Sequence, residues 1–365
     1  MPPTDAPIDL LDFERALAGR RVLVTGHTGF TGGWLVQWLR ALGAEVAGLA
    51  LAPQTQPNLF TVAQIADGIA SRIGDIRDAA LVKQTVAAAR PEVVFHLAAQ
   101  PLVSRAFADP LEAFATNVLG TAHVLEAARL ATDVKAFVCV TTDKVYADEL
   151  PRGHREGDRL GGRDPYSASK AGAEIVAGCY RATLAPRGNG MLIATARGGN
   201  IIGGGDWSDD RIVPDFVRAV TAGAPLTLRN PAAVRPWQHV LSLVHGYLLL
   251  ASRLLAGEAA CADAWNFGPA EGEAVAVGAL VERLGAAWTK PEIRQAPGGF
   301  PETQFLRLDS AKARAALGWA PPLDFAAAVG LTAAWYRDFA DKPAAARAST
   351  LRQIDVYRRR LRAST

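Results

Sequence analysis

The chain has 365 residues, half of them hydrophobic and 21% charged, with a formal net charge of +3. That is enough sequence for one large domain with a smaller one built onto it, and the dispersed basic residues exclude the Lys/Arg stripe of a nucleic-acid binder. Its longest apolar runs, such as residues 247–251, are too short to span a bilayer, and its N-terminus lacks the pattern of a signal peptide. Cys139, Cys179 and Cys261 are widely spaced. They read as reduced thiols of a cytoplasmic protein, and neither they nor the six histidines show metal-ligand spacing, so no metal is expected.

In chain order, "RVLVTG" (21–26) predicts a strand ending in glycine, "GGWLVQWLRALG" (32–43) a helix and "AEVAGLAL" (44–51) a second strand. A third strand is expected to end near Asp75. A helix over 82–91 precedes the strand 92–99. A long helix over 110–131 precedes the strand 136–142, and another over 166–185 precedes the strand 191–200. This alternation predicts an α/β protein with a doubly wound parallel sheet, whose ligands bind beyond the carboxyl ends of the strands. The expected dinucleotide domain covers 18–200, with a return to the main sheet around 233–267. Residues 201–345, rich in Gly and Pro segments, form mainly a substrate domain, and 346–365 a basic helical tail.

Between the first strand and first helix, Gly26, Gly29 and Gly32 are spaced three apart. A pyrophosphate-binding turn needs such a pattern, because backbone must approach the phosphates closely at a helix N-terminus. The same spacing serves a tight turn without a ligand, but its place between strand and helix favours the dinucleotide. The end of the second strand, Leu49-Ala50-Leu51, offers neither an acid for the ribose of NAD nor a cation for a 2′-phosphate, so NAD is only mildly preferred to NADP. Asp75 is a candidate for the adenine amino group or, equally, for a helix N-cap.

Tyr166 and Lys170 lie four apart and share a helix face. A tyrosine that acts as a base needs its pKa lowered from about 10, and a neighbouring ammonium does that. Thr142, at a strand end, is placed to share a proton with Tyr166 or a substrate hydroxyl. Asp143 and Lys144 follow it directly, an acid and a base at the mouth of an apolar strand.

The glycine loop, "FHLAAQ", the strand-end threonine and "PYSASK" resemble the extended short-chain dehydrogenase/reductases that act on nucleotide sugars. "LAAQPLV", "TTDKVY", "NIIGGGDWSDDRIVPD", "RPWQHV", "WNFGP" and "LGWAPPL" narrow the resemblance to sugar 4,6-dehydratases, those acting on CDP-glucose in particular. The resemblance implies a Rossmann domain with a small C-terminal nucleotide-sugar domain and tightly bound NAD recycled in each turnover. It also implies conversion of CDP-glucose to its 4-keto-6-deoxy form plus water. It extends the cofactor set to Thr28, Phe30, Ile76, Leu97, Ala98, Ala99 and Thr116, beside Tyr166 and Lys170. Elimination of water needs two proton-transfer groups beyond the tyrosine. By resemblance Asp143 is the acid toward O6 and Lys144 the base at C5. The swapped assignment uses their ordinary protonation states and stays open.

For the substrate, Arg211 and Arg235 are candidates to grip the diphosphate, and Asn200 to donate to it. Trp207 and Trp237 are candidates to stack on the base, and Gln100 to line the sugar pocket. His239 and His96 read as structural. The rivals are a 4-epimerase or another dehydratase acting on dTDP-glucose, GDP-mannose or a UDP-sugar, which the Asp143-Lys144 pair and "RPWQHV" disfavour, and an inactive scaffold, which intact Thr142, Tyr166 and Lys170 disfavour. By resemblance, helices 110–131 and 166–185 form a four-helix interface in a homodimer or homotetramer.

Overall fold

Seven strands form the central sheet: β1 (Arg21–Thr25), β2 (Glu45–Ala50), β3 (Ala70–Ile73), β4 (Val93–His96), β5 (Ala136–Val140), β6 (Leu192–Arg197) and β7 (Ala264–Asn266). All pair in parallel, in the order 7-6-5-4-1-2-3. The structure is a computed structural model, and it describes residues 12–269, 274–296 and 307–364. The reversal of order between β1 and β4 makes this a Rossmann-like, doubly wound sheet, and it opens a crevice above those two strand ends.

Successive strand side chains enter two separate cores, as a period of two requires. Val22, Val24, Phe95 and Val138 face a layer holding Trp34, Trp38 and the apolar helix Val240–Leu255. Leu23, Val94, Phe137 and Ile193 face the other layer, where Val82, Val124 and Leu125 pack. Both faces are covered, which is why these strands read as continuous apolar runs.

The two long helices of the sequence reading are each interrupted. The first divides into Pro110–Phe114, a π-helical turn Ala115–Gly120 and Thr121–Leu130. The second runs Pro165–Cys179 and continues as a π-helical turn, Tyr180–Leu184. Such turns insert an extra residue that apolar periodicity does not register.

Beyond β6, the helix Ile212–Ala222 and the short strand pairs Leu226–Leu228 with Ile293–Gln295 and Val234–Arg235 with Val275–Ala276 build the cover over the strand ends. The described part of the basic tail, helix Ala346–Ala363, docks on the body. Tyr357 packs edge-on against Trp38 at 5.4 Å between ring centroids, and Arg358 grips Glu14 at 2.6 Å.

Candidate active site

The glycine turn is built for close approach. Gly26 has φ +79, and a Cβ there would lie 2.7 Å from the backbone nitrogen of Ala98. A Cβ on Gly32 would lie 2.1 Å from the carbonyl of Gly26. Gly29 caps the helix Phe30–Ala41 with no side-chain bond, so its first-turn N–H groups carry no side-chain cap. A bare helix N-terminus at the sheet's crevice fits a dinucleotide diphosphate. Thr28 donates to the carbonyl of Leu51 at 2.8 Å, tying the turn to the end of β2, and Phe30 packs at the edge of the core.

His27 was missed in the sequence. Its ring fills the space beside Gly48, where a Cβ would come within 2.4 Å of it, and its Nε2 meets Ser71 Oγ at 2.8 Å. Burial pushes its pKa down to about 4.

Asp75 is not the helix N-cap; Asp78 is, accepting from Ala80 and Leu81. The Asp75 carboxylate is clasped by the Arg77 guanidinium at 2.6 and 2.8 Å, which holds its pKa below the usual carboxylate value. Ile76 turns into the core against Gly120. Leu97 and Ala99 line the main cavity, Ala98 stands against the glycine turn, and Thr116 lies on the π-helical turn.

The end of β5 gathers the candidate proton-transfer groups. Thr142 caps a single 3₁₀ turn, Asp143–Val145. It donates to Asp143 Oδ1 at 2.9 Å, and Lys144 Nζ donates to the same oxygen at 3.2 Å. Asn200 Nδ2 donates to Asp143 Oδ2 at 3.2 Å. This places Asn200 on the acid, where the sequence suggested a phosphate.

The helix carrying Tyr166 and Lys170 starts at Asp164, which accepts from Ser167 N at 2.9 Å, with Pro165 in the first turn. Burial raises the pKa of Tyr166. The groups that oppose this are Lys144, the Thr142 hydroxyl and Arg211. Of these, the Lys144 ammonium opposes the upward shift most. Lys170 Nζ donates to the Val140 carbonyl at 3.1 Å, and burial lowers its pKa.

Two supports were also missed. Glu174 and Arg197 form an ion pair at 2.8 Å whose side chains are only 2% and 3% exposed. Glu174 also accepts from Thr141 at 2.5 Å and Thr195 at 2.7 Å, bracing the strand end beside Thr142. The signal was present as one charge in each of the apolar runs "AGAEIVAG" and "LIATAR". Asn117, on the π-helical turn, accepts from Gln100 N at 2.8 Å and donates to Ser169 Oγ at 2.8 Å.

A cavity of about 570 Å³ unites these groups. It runs from Thr31 and Lys170 past Asp143 and Tyr166 to Arg211, Arg235 and Trp237. Arg211 is held by Asp206 at 3.0 Å, Arg235 donates to the carbonyl of Val234 at 2.9 Å, and Trp237 to that of Val275 at 3.0 Å. Two expected members lie elsewhere. Gln100 folds back to donate to the Leu102 carbonyl and accept its N–H, shaping a backbone turn, and is not among the residues that line this cavity. Trp207 sits in an aromatic cluster with Trp335, Tyr336 and Phe339, at centroid distances of 5.0–5.8 Å, and cannot stack on a base in the main cavity. His96 is structural, bridging Thr25 and Thr121.

The strand order, glycine turn and Tyr–Lys helix are those of an extended short-chain dehydrogenase/reductase. Within that class the chain belongs to the nucleotide-sugar 4,6-dehydratases: the family model described as GDP-mannose 4,6 dehydratase matches residues 23–332. The chain is 41% identical to the CDP-glucose 4,6-dehydratase of Salmonella typhimurium over 87% of its own length and 91% of that relative. It is 30% identical to a dTDP-glucose 4,6-dehydratase of Streptomyces griseus, over 86% and 93% of the two chains. Among solved structures, a dTDP-glucose 4,6-dehydratase from Streptomyces venezuelae with NAD bound superposes with a TM-score of 0.74 at 28% identity, covering 89% of this chain and 99% of that one. A UDP-glucose 4-epimerase of Thermus thermophilus in complex with NAD gives 0.75 at 28% identity, covering 87% and 99%.

Proposed function

We propose that the protein is an NAD-dependent CDP-D-glucose 4,6-dehydratase, a hydro-lyase that forms CDP-4-keto-6-deoxy-D-glucose and water. The observation that carries this reading is the Asp143–Lys144 pair set against Tyr166 in one cavity. Oxidation and re-reduction at C4 alone require only the tyrosine; elimination requires a further acid and base. The 41% identity to a CDP-glucose enzyme supports the choice of nucleotide.

The turn at Gly26, Gly29 and Gly32 would hold the diphosphate of NAD, and Lys170 and Tyr166 its nicotinamide end. When bound, NAD supplies the acceptor for the C4 hydride and its donor to C6. Tyr166 removes the O4 proton. Lys144 removes the C5 proton, made acidic by the new ketone. Asp143 protonates the departing O6, which leaves as water. Because Lys144 and Asp143 touch, one proton moved from Nζ to the carboxyl converts the ion pair into a neutral acid and a neutral base. Arg211 and Arg235 would hold the diphosphate and Trp237 flank the cytosine.

Two further readings rest on this one. Leu111, Leu119 and Ile175 expose 78%, 54% and 64% of their surface on the two interrupted helices. We infer that this apolar face pairs with a second copy. Three free cysteines, one of them exposed, fit a cytoplasmic location.

The test is incubation with CDP-glucose and NAD, followed by scanning in alkali for the 4-keto sugar chromophore. CDP-galactose would identify an epimerase, and no turnover a scaffold. Faster reaction of a dTDP- or GDP-sugar would overturn the choice of nucleotide. Tyr166→Phe should abolish the absorbance of enzyme-bound NADH.

A further inference from the structure

Asp143 must hold a proton before elimination and lose it during elimination, so its surroundings must suit both forms. Its Oδ1 is occupied by two donors, Thr142 Oγ1 and Lys144 Nζ. Its Oδ2 has one hydrogen-bond partner among the described residues, Asn200 Nδ2 at 3.2 Å. The seam that lets this oxygen in is closed to any side chain, since a Cβ on Gly199 would lie 2.1 Å from Oδ2. Asn200 itself has φ +50, in the left-handed region that asparagine adopts more readily than most residues.

An amide is two-sided. Its NH₂ donates to a carboxylate, and after a half-turn its carbonyl accepts from a carboxyl O–H. We propose that Asn200 is the positioning residue that carries Asp143 through both protonation states, donating to Oδ2 when it is ionised and accepting from Oδ2–H when it is protonated. This rests on the dehydratase reading and assigns the proton to a single oxygen. The Oδ2–H bond breaks as O6–H forms, and the C6–O electron pair leaves with water. Lys144 returns its proton to C5. Tyr166 releases the O4 proton to solvent, and Asp143 regains one from solvent, so the count closes. The titratable groups around Asp143 are Lys144 on its own turn, Tyr166 on the neighbouring helix and His154 on the loop beyond.

Two variants test the proposal in the NAD-loaded enzyme. Asn200→Gly keeps the backbone angle at no steric cost and removes the amide. Asn200→Asp keeps the side-chain size and sets a second carboxylate beside Asp143. On mixing with CDP-glucose, both should build up enzyme-bound NADH at the normal rate. Product formation should fall about ten- to a hundred-fold, the range of a hydrogen bond to a charged group, with KM changed less than about threefold. In Asn200→Asp the alkaline limb of kcat should move upward by about one pH unit, because a like charge favours the protonated acid. A raised KM with kcat and its pH limbs unchanged would overturn the proposal in favour of a phosphate donor. Failure of NADH to accumulate would overturn it too. If the unmodified enzyme makes no 4-keto sugar, the dehydratase reading fails instead, and that result needs no variant.

Discussion

Lys144 Nζ stands 3.2 Å from Asp143 Oδ1, with the lysine side chain 38% exposed and the aspartate 1%. Lys144 therefore faces the cavity while Asp143 is held from behind. Lys144→Ala should still oxidise C4, yet slow elimination by about a hundred-fold or more, the scale of a general base. The same ammonium is the foremost group opposing the upward shift of Tyr166. Its loss raises that pKa further, so the pH limb for C4 oxidation should move to higher pH. Stopped-flow absorbance of bound NADH across pH reads both effects. Normal turnover in this variant would remove Lys144 from the chemistry.

Gly199 is required by the position of the acid. Gly199→Ala drives a methyl against the Asp143 carboxylate. The overpacking should cost about 1–3 kcal/mol and dehydration should fall at least about tenfold. Thermal midpoint and turnover, measured together, check this. Unchanged turnover would show that the carboxylate has room to move.

The Glu174–Arg197 pair braces the strand end from below. Arg197→Met leaves a buried carboxylate without its partner and should destabilise the protein by about 3–5 kcal/mol. Adding Glu174→Gln should recover part of that loss. Denaturant midpoints of the two variants decide it; equal midpoints would count against the brace.

His96, His239 and His245 are buried, and burial pushes each pKa from 6.5 down to about 3. They stay neutral in the folded chain, while the unfolded chain protonates them below pH 6.5. Their contribution is therefore complete above pH 6.5 and is lost as pH falls toward 3, at about 1.4 kcal/mol per histidine per pH unit. The melting temperature should drop steeply from pH 6.5 to pH 5. His245→Phe keeps a ring beside Trp38 and Tyr357 and should flatten the slope by one histidine's share. A slope unchanged in this variant would refute the assignment.

Ile175→Glu and Leu119→Glu place charges on the exposed apolar face. Each should convert a dimer to a monomer in sedimentation, with the fold kept by circular dichroism. A chain that is already monomeric would end the proposal of a paired face.

Local chemistry determined much of this protein. Apolar strands of period two, helices of period 3.6, the glycine turn at residues 26–32 and the four-residue spacing of Tyr166 and Lys170 are all written in neighbouring residues. They were enough to place Thr142, Asp143 and Lys144 at one strand end beside the crevice. Tertiary structure alone decided which groups touch. Asn200 reaches Asp143 across 57 residues of chain, Lys170 binds the Val140 carbonyl, Lys144 donates to Asp143, and Trp207 joins an aromatic cluster away from the cavity. Hydrogen bonds and ring contacts form within a few ångströms, and that scale is set by how strand ends and covering segments dock, which no spacing along the chain records.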